Sequence, residues 1–110
     1  MANPFDLGKI GDLMQQAKAM QERLASVQNE VGARSVEASA GGGMVKAKVS
    51  GKLEVLKVTI DPTMIESKDR EMIEDLVVAA VNGAVRKAQE MMAEEMAKLT
   101  GGLKIPGLGG

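Results

Sequence analysis

The spacing of apolar residues changes twice along this 110-residue chain, and the changes divide it into helix, sheet and helix. From residue 10 to residue 31, steps of three and four residues alternate between apolar positions, as in a heptad repeat. Between residues 34 and 60, apolar and polar residues alternate, which is the period of a strand. From residue 72 a helical period returns. The sequence therefore predicts an α+β protomer of the order αβββα, an antiparallel three-stranded sheet flanked by two long helices.

Glycines separate the first two predicted strands, in the stretch AGGGMVKAK (40–48). A phosphate-binding loop would need glycine, four residues, glycine, lysine and a hydroxyl residue, followed by a helix whose N-terminal amides hold the phosphates. Here a strand pattern follows the glycines, and Lys46 comes three residues after the last of them. We therefore favour a hairpin turn at Gly41–Gly43, where positive φ angles are needed.

A second turn, SGKL (50–53), precedes a third strand with Leu56, Val58 and Ile60 on one face. Leu53 and Val55 are out of phase with that face. Either a β-bulge or burial on both faces at the start of the strand would explain the shift, and the sequence leaves both open.

Capping residues mark the predicted element boundaries. Caps with a following proline begin the first helix and a short turn after the sheet, Ser67 begins the second long helix, and glycines end both helices. In order along the chain these signals are Asn3-Pro4, Gly32, Asp61-Pro62, Ser67 and Gly101-Gly102. We expect one domain over residues 1–100 and a flexible, glycine-rich C-terminal tail over residues 101–110.

The composition disfavours most catalytic chemistry, because the chain has no Cys and no His, the commonest nucleophiles and bases. Glu71, Glu74 and Asp75 could form a carboxylate metal site, but acids at a helix start more often complement the helix dipole. We expect no enzymatic activity, cofactor, metal ion or small-molecule substrate. Without a signal peptide or a run of ~20 apolar residues, we also expect a cytoplasmic protein with no membrane partner.

Each long helix should measure about 40 Å, whereas a compact domain of this size has a radius of gyration of only ~13 Å. The helices should therefore project from the sheet as arms. The heptad stripe needs a partner surface, and a single copy would leave apolar sheet surface uncovered. We predict a homodimer whose interface includes Leu13, Met20, Leu24, Val27, Leu56, Val58, Val81 and Val85.

Basic residues are concentrated in the strand region, where residues 33–60 carry five Lys or Arg and two Glu. Lys46 and Lys48 lie on one face of a strand, and Arg86-Lys87 form a basic pair on the second helix. Strand lysines most often form a solvated face or protect a sheet edge. The single aromatic residue argues against binding of single strands by base stacking, and if nucleic acid binds, phosphate contacts should dominate.

Four segments together resemble the YbaB/EbfC family of bacterial nucleoid-associated DNA-binding proteins. They are GGGMVKAKVSG (41–51), IDP (60–62), DREMIEDLVVAAVNGAVRKAQE (69–90) and KLTGGLKIPG (98–107), and the first helix LMQQAKAMQERL (13–24) fits as well. The resemblance implies an αβββα protomer, an intertwined homodimer with protruding helical arms, and binding of double-stranded DNA that affects nucleoid organisation and gene expression.

Lys46, Arg86 and Lys87 match the family's pattern by position, so the resemblance makes them candidates for DNA contact. Lys48 lies on the same strand face as Lys46. The remaining candidates follow only from lying on the arms: Lys9, Lys18, Arg23 and Lys98. A second hypothesis is a homodimeric adaptor whose arms grip a protein partner without physiological DNA contact. The net charge of −1 and the methionines of the second helix favour the adaptor, whereas the family resemblance favours DNA.

Overall fold

The computed structural model describes residues 7–100 and contains six elements in the order αβββαα. Their bounds are α1 Leu7–Ala33, β1 Ser35–Ala40, β2 Val45–Ser50, β3 Val55–Ile60, α2 Pro62–Ser67 and α3 Arg70–Thr100. The predicted α+β class and strand count are confirmed. The helix start predicted at Asn3-Pro4, the stop at Gly101-Gly102 and the tail 101–110 lie outside the described residues.

The three strands form one antiparallel sheet in the order β1-β2-β3, as consecutive hairpins require. The alternate residues Val45, Ala47 and Val49 of the central strand are buried. They pack with Ala80, Ala84 and Ala88 of α3, which lies across one face of the sheet. The alanine side chains are short, so the helix backbone approaches the sheet closely and the core stays thin.

Both turns between strands are where the sequence placed them. Gly41, Gly42 and Gly43 all have positive φ, which confirms a hairpin turn rather than a phosphate loop opening a helix. In the second turn Leu53 has a φ of 64°, a left-handed conformation that is uncommon for a leucine.

A β-bulge explains the phase shift at the start of β3. Lys48 pairs with Lys57 but Val49 pairs with Val55, so Leu56 is an extra residue on β3. Past the bulge the strand regains its register, and Val58 pairs with Ala47 on the core face. Of the two explanations that the sequence left open, the bulge is confirmed.

Two predicted helix boundaries are wrong by a few residues. The first helix continues through Gly32 to Ala33, and Gly32 does not adopt the positive φ of a helix-ending glycine. The second long helix is capped by Asp69, whose carboxylate accepts from the Met72 amide at 3.1 Å, rather than by Ser67, which ends α2. The predicted Asp61 cap is confirmed, since its carboxylate accepts from the Thr63 amide at 2.9 Å.

The chain is elongated, with principal extents of 80 × 26 × 17 Å and a radius of gyration of 21.8 Å. A compact domain of this length would have a radius of gyration of about 13 Å. The 27 residues of α1 and 31 residues of α3 account for the length, because each helix is longer than the six-residue strands it accompanies. The expectation that the helices extend beyond the sheet agrees with this shape.

Candidate nucleic-acid interface

The face of the sheet opposite α3 carries three exposed lysines. Because side chains alternate along a strand, burial of Val45, Ala47 and Val49 turns Lys46 and Lys48 to the opposite face. Lys57 of β3 pairs with Lys48 and shares that face. We call Lys46, Lys48 and Lys57 the lysine face.

Cross-strand pairing sets the neighbours of each lysine. Lys48 lies between Glu37 of β1 and Lys57 of β3, whereas Lys46 lies between two hydroxyl residues, Ser39 and Thr59. A shallow concavity on this face is lined by Glu37, the three lysines and Thr59, together with Ala47. Within the three strands Glu37 is the one acidic residue, so the lysine face keeps a net positive charge.

The two members of the basic pair on α3, Arg86 and Lys87, have different surroundings. Both Arg86 and Lys87 are exposed. The Lys87 ammonium donates a hydrogen bond of 3.0 Å to the Glu37 carbonyl, so it satisfies an acceptor of the edge strand β1. Arg86 points about 100° further around the helix, which leaves its guanidinium the more available of the two for a phosphate.

The arm candidates have different settings. Lys9, Lys18 and Arg23 are exposed on α1, and Lys9 lies about 36 Å along the helix from Ala33 at 1.5 Å per residue. The structure therefore does not bring Lys9 next to the lysine face.

Near the C-terminal end of α3, Lys98 takes part in an ion-pair cluster. Its ammonium lies 3.1 Å from the Glu95 carboxylate, which also meets the Arg34 guanidinium at 3.4 Å. The hydrogen bond and positive charge of Lys98, followed by Arg34, hold the pKa of Glu95 below its usual value. Lys98 already has a carboxylate partner, so it is a weaker candidate for a phosphate contact than Arg86.

Lys57 lies on the lysine face, although the sequence-based site prediction did not include it. The sequence contained a signal for it, since Lys57 alternates with Leu56 and Val58 and must face away from them. Only the register shows that it stands directly opposite Lys48, because the bulge displaces the pairing at the start of β3.

Some apolar side chains of α3 and β3 remain partly exposed on the core face of the sheet. Leu76 of α3 lies against Gly41 in the turn after β1, and Gly83 of α3 lies against Ala38 of β1. Val81 and Val85 follow Ala80 and Ala84 by one position and so turn about 100° the other way, toward β3. They are half-buried and pack against the core cluster, while Val58 of β3 is 38% exposed and Leu56 in the bulge is 53% exposed.

The predicted interface residues of α1 show a gradient of burial. Leu13 is 64% exposed, while Met20, Leu24 and Val27 are half-buried and Val31 is 2% exposed. The C-terminal end of α1 therefore packs within the chain, where the helix contacts α3. Toward its N-terminal end the same stripe has no covering element among the described residues.

Neither a metal centre nor a membrane span is found in the part of the chain that the structure describes. Within residues 7–100, no three Asp or Glu side chains are grouped closely enough to hold a metal ion, so Glu71, Glu74 and Asp75 do not form one. No described helix is long and apolar enough to cross a bilayer.

Comparisons with known proteins agree with the resemblance seen in the sequence. The family described as the YbaB/EbfC DNA-binding family matches residues 7–103. A nucleoid-associated protein of Syntrophobacter fumaroxidans is 55% identical over 95 residues, covering 86% of each chain. A nucleoid-associated protein of Thermoanaerobacter pseudethanolicus is 52% identical over 99 residues, covering 90% of this chain and 89% of the relative.

Among solved structures, the fold is similar to an uncharacterized protein from Helicobacter pylori. The TM-score is 0.57 and the sequence identity is 21%, and the match covers 68% of this chain and 87% of that one. At that identity the likeness shows the shared fold alone.

Proposed function

The chain belongs to the YbaB/EbfC DNA-binding family, and we propose that it is a nucleoid-associated protein that binds double-stranded DNA as a homodimer. The observation that carries this proposal is the family match over residues 7–103, which includes every described element. The names of the relatives from Syntrophobacter and Thermoanaerobacter support a location at the nucleoid. Through this binding the protein would affect nucleoid organisation and gene expression, without catalysing a reaction.

The homodimer is supported by the apolar surface that one chain leaves uncovered. Val55, Leu56 and Val58 of β3 are 49%, 53% and 38% exposed, and β3 is an edge strand. An exposed apolar edge strand favours pairing with another chain. A second copy seated on this apolar surface of α3 and β3 would bury these residues together with Val81 and Val85.

The mode of DNA binding should be dominated by phosphate contacts and DNA shape. The chain has no His, Trp or Tyr, and its single Phe is near the N-terminus, so base stacking is a poor source of affinity. Basic side chains on α1, α3 and the sheet can neutralise phosphates without reading base edges. We therefore expect weak sequence preference and strong dependence on salt.

A homodimeric adaptor is the second candidate function, and the exposed apolar tip of α1 favours it. Leu13 and Met14 are 64% and 68% exposed. In an adaptor these residues would contact a protein partner, and the basic residues would be a solvated surface.

A DNA mobility shift across a salt series distinguishes the two functions. We expect the wild-type protein to shift random and chosen duplexes with similar affinity, which falls steeply with salt. Replacing the more available member of the basic pair, Arg86→Ala, should weaken binding to all duplexes about equally. The slope of log affinity against log salt should become shallower by about 0.9 for each phosphate that the variant no longer neutralises.

The matched control is Arg70→Ala on the same helix, because Arg70 is exposed but paired with Glu74 at 3.4 Å in the acidic segment. This control should leave DNA affinity nearly unchanged. If the wild-type dimer shows no salt-sensitive binding near physiological ionic strength, DNA binding is rejected in favour of the adaptor. Unchanged binding by a folded Arg86→Ala variant would instead place the contacts elsewhere, with Lys9, Lys18 and Arg23 the next candidates.

A further inference from the structure

We propose that the lysine face, and not only the helices, is a phosphate-binding surface for double-stranded DNA, with Lys57 as one of its contact residues. The proposal rests on the DNA-binding function proposed above and assigns a specific surface to it. The lysine face lies on the sheet opposite α3, so it is separate from the helix surface that carries Arg86.

Two like charges stand directly opposite each other on the lysine face. Lys48 and Lys57 are cross-strand partners, and like charges at such positions destabilise a sheet. Glu37 on the other side of Lys48 offsets part of the repulsion, but no acidic residue pairs with Lys46. A polyanion bound over the face would offset the remaining repulsion between the lysines. Binding of a polyanion would therefore account for their clustering.

The whole face is polar and carries a net positive charge. Its outward residues on the three strands are Ser35, Glu37, Ser39, Lys46, Lys48, Lys57 and Thr59. Protein–protein interfaces usually have an apolar centre in which lysine is depleted. Protein–DNA interfaces are more polar and more positive, and lysine, serine and threonine are common donors to phosphate oxygens. The face therefore suits a nucleic-acid backbone better than a protein surface.

The spacing of the three lysines suits a series of phosphates. Lys46 and Lys48 are two residues apart on one strand, and a strand rises about 3.3 Å per residue, so their side chains emerge ~7 Å apart. Lys57 emerges from the neighbouring strand, about 5 Å away. The exposed ammonium groups thus form a two-dimensional array on long, flexible side chains. Such an array can follow successive phosphates without reading base edges.

A second class of occupant must be tested against DNA, namely an acidic protein surface. The segment 61–75 of this chain contains six acidic residues, so another copy could place it on the lysine face. The hydroxyl groups and the lack of apolar residues favour the phosphate backbone. Acidic self-association would appear as assembly beyond the dimer in the absence of DNA.

The test compares two variants of the full-length protein that lose the same positive charge. The face variant is Lys46→Gln, Lys48→Gln and Lys57→Gln, and the control is Lys52→Gln, Lys68→Asn and Arg70→Gln, which are outside the face. Fluorescence anisotropy with a random duplex measures affinity from low salt to about 0.15 M. The face variant should bind roughly tenfold more weakly or worse, and its salt slope should fall by about 0.9 for each phosphate left without a lysine partner. The control should lose much less affinity.

Two further measurements separate binding from folding. Because the face variant lacks the Lys48–Lys57 repulsion, its melting temperature should be no lower than that of the wild type. Glu37→Gln provides the opposite change, since it removes the carboxylate from the face and should tighten DNA binding. The backbone carbonyl of residue 37, which accepts from Lys87, is unaffected by that substitution.

The possible outcomes are distinguishable. If the face variant is folded and binds DNA like the control, while Arg86→Ala weakens binding, the lysine face is overturned and the proposed function stands. If the face variant loses only assembly beyond the dimer, as measured by sedimentation, the acidic-surface interpretation replaces it. If the wild-type protein itself fails to bind DNA, both proposals fall together.

Discussion

The two long helices carry apolar stripes of similar length, but α3 is seated on the sheet of its own chain, whereas α1 packs within the chain only toward its C-terminal end. On α3 the residues that face the sheet are Ala80, Ala84 and Ala88, and all are fully buried. On α1 the stripe includes Leu13 and is flanked by Met14, which are 64% and 68% exposed. Small residues bring a helix onto a sheet, whereas large residues on a projecting helix need a partner from elsewhere.

The same division runs through the sheet. The central strand β2 buries alternate residues completely, because α3 covers it. The neighbouring strand β3 exposes Val55 and Leu56, although these residues are as apolar as those of β2. The apolar side chains between α3 and β2 are therefore buried within one protomer, whereas those of β3 form the surface on which we propose that the second copy packs.

The largest expected effect comes from Ala84→Leu, which overpacks the core between α3 and the sheet. Ala84 has no exposed surface and packs with Val45, Ala47 and Val49, so three extra carbon atoms would separate α3 from the sheet. We expect the free energy of unfolding to fall by roughly 1–3 kcal/mol. Urea denaturation followed by circular dichroism, at a fixed protein concentration, measures this change.

Ala79→Leu on the exposed side of the same helix is the control for that prediction. Leucine and alanine have similar helix propensities, so the stability should change by no more than about 0.5 kcal/mol. Equal losses for the two variants would mean that the core tolerates a larger side chain, and the contrast between the helices would disappear.

The sequence was sufficient to predict the parts of the fold that depend on local chemistry. The three glycines forced a turn, and strict alternation at Val45, Ala47 and Val49 identified the buried face of β2. The cap of α3 was misplaced because Ser67 and Asp69 are both good capping residues. Lys68 between them adopts a φ of 60° and ends α2, so the next helix starts after Asp69.

The candidate site was less predictable, because it depends on register and on contacts across the chain. Alternation placed Lys46 and Lys48 on one face, but the opposition of Lys57 follows from a bulge that the sequence left undecided. Likewise, Arg86 and Lys87 were equivalent in the sequence. A hydrogen bond from Lys87 to a strand 50 residues away makes them different.

The second prediction compares two stripe positions on α1 by introducing the same charge. Leu24 is half-buried within the chain, so Leu24→Glu should lower the free energy of unfolding by about 1–2 kcal/mol because a carboxylate loses water there. Leu13 is exposed, so Leu13→Glu should leave the folded protomer nearly unchanged and weaken the proposed dimer instead. Denaturation measures the first effect and sedimentation equilibrium the second.

Two outcomes would contradict the proposed role of the exposed part of α1 in the dimer. A Leu13→Glu protein that dimerises as tightly as the wild type would place Leu13 outside the interface, free for the DNA or protein partner. A stable, well-folded wild-type monomer at micromolar concentration would reject the homodimer altogether.

The smallest effects should come from the glycines inside the two helices. An added Cβ at Gly11 of α1 would meet no atom within 4 Å, so Gly11→Ala should gain the full helix-propensity difference of about 1 kcal/mol. At Gly83 of α3 the Cβ would lie 3.3 Å from the Ala38 Cβ, closer than carbon atoms normally pack. Ala38 is held by β2 on one side and by α3 above it, so relief would require the edge strand to move.

We therefore expect Gly11→Ala to slow amide hydrogen exchange along α1, and Gly83→Ala to give no stabilisation because the crowding at Ala38 cancels the propensity gain. Native-state exchange is the appropriate measurement, since it resolves the two helices separately when global unfolding does not. A gain at Gly83 equal to that at Gly11 would show that β1 yields easily. The closeness of α3 to the sheet would then be a consequence of the alanines alone, and Gly83 would have no part in seating the helix.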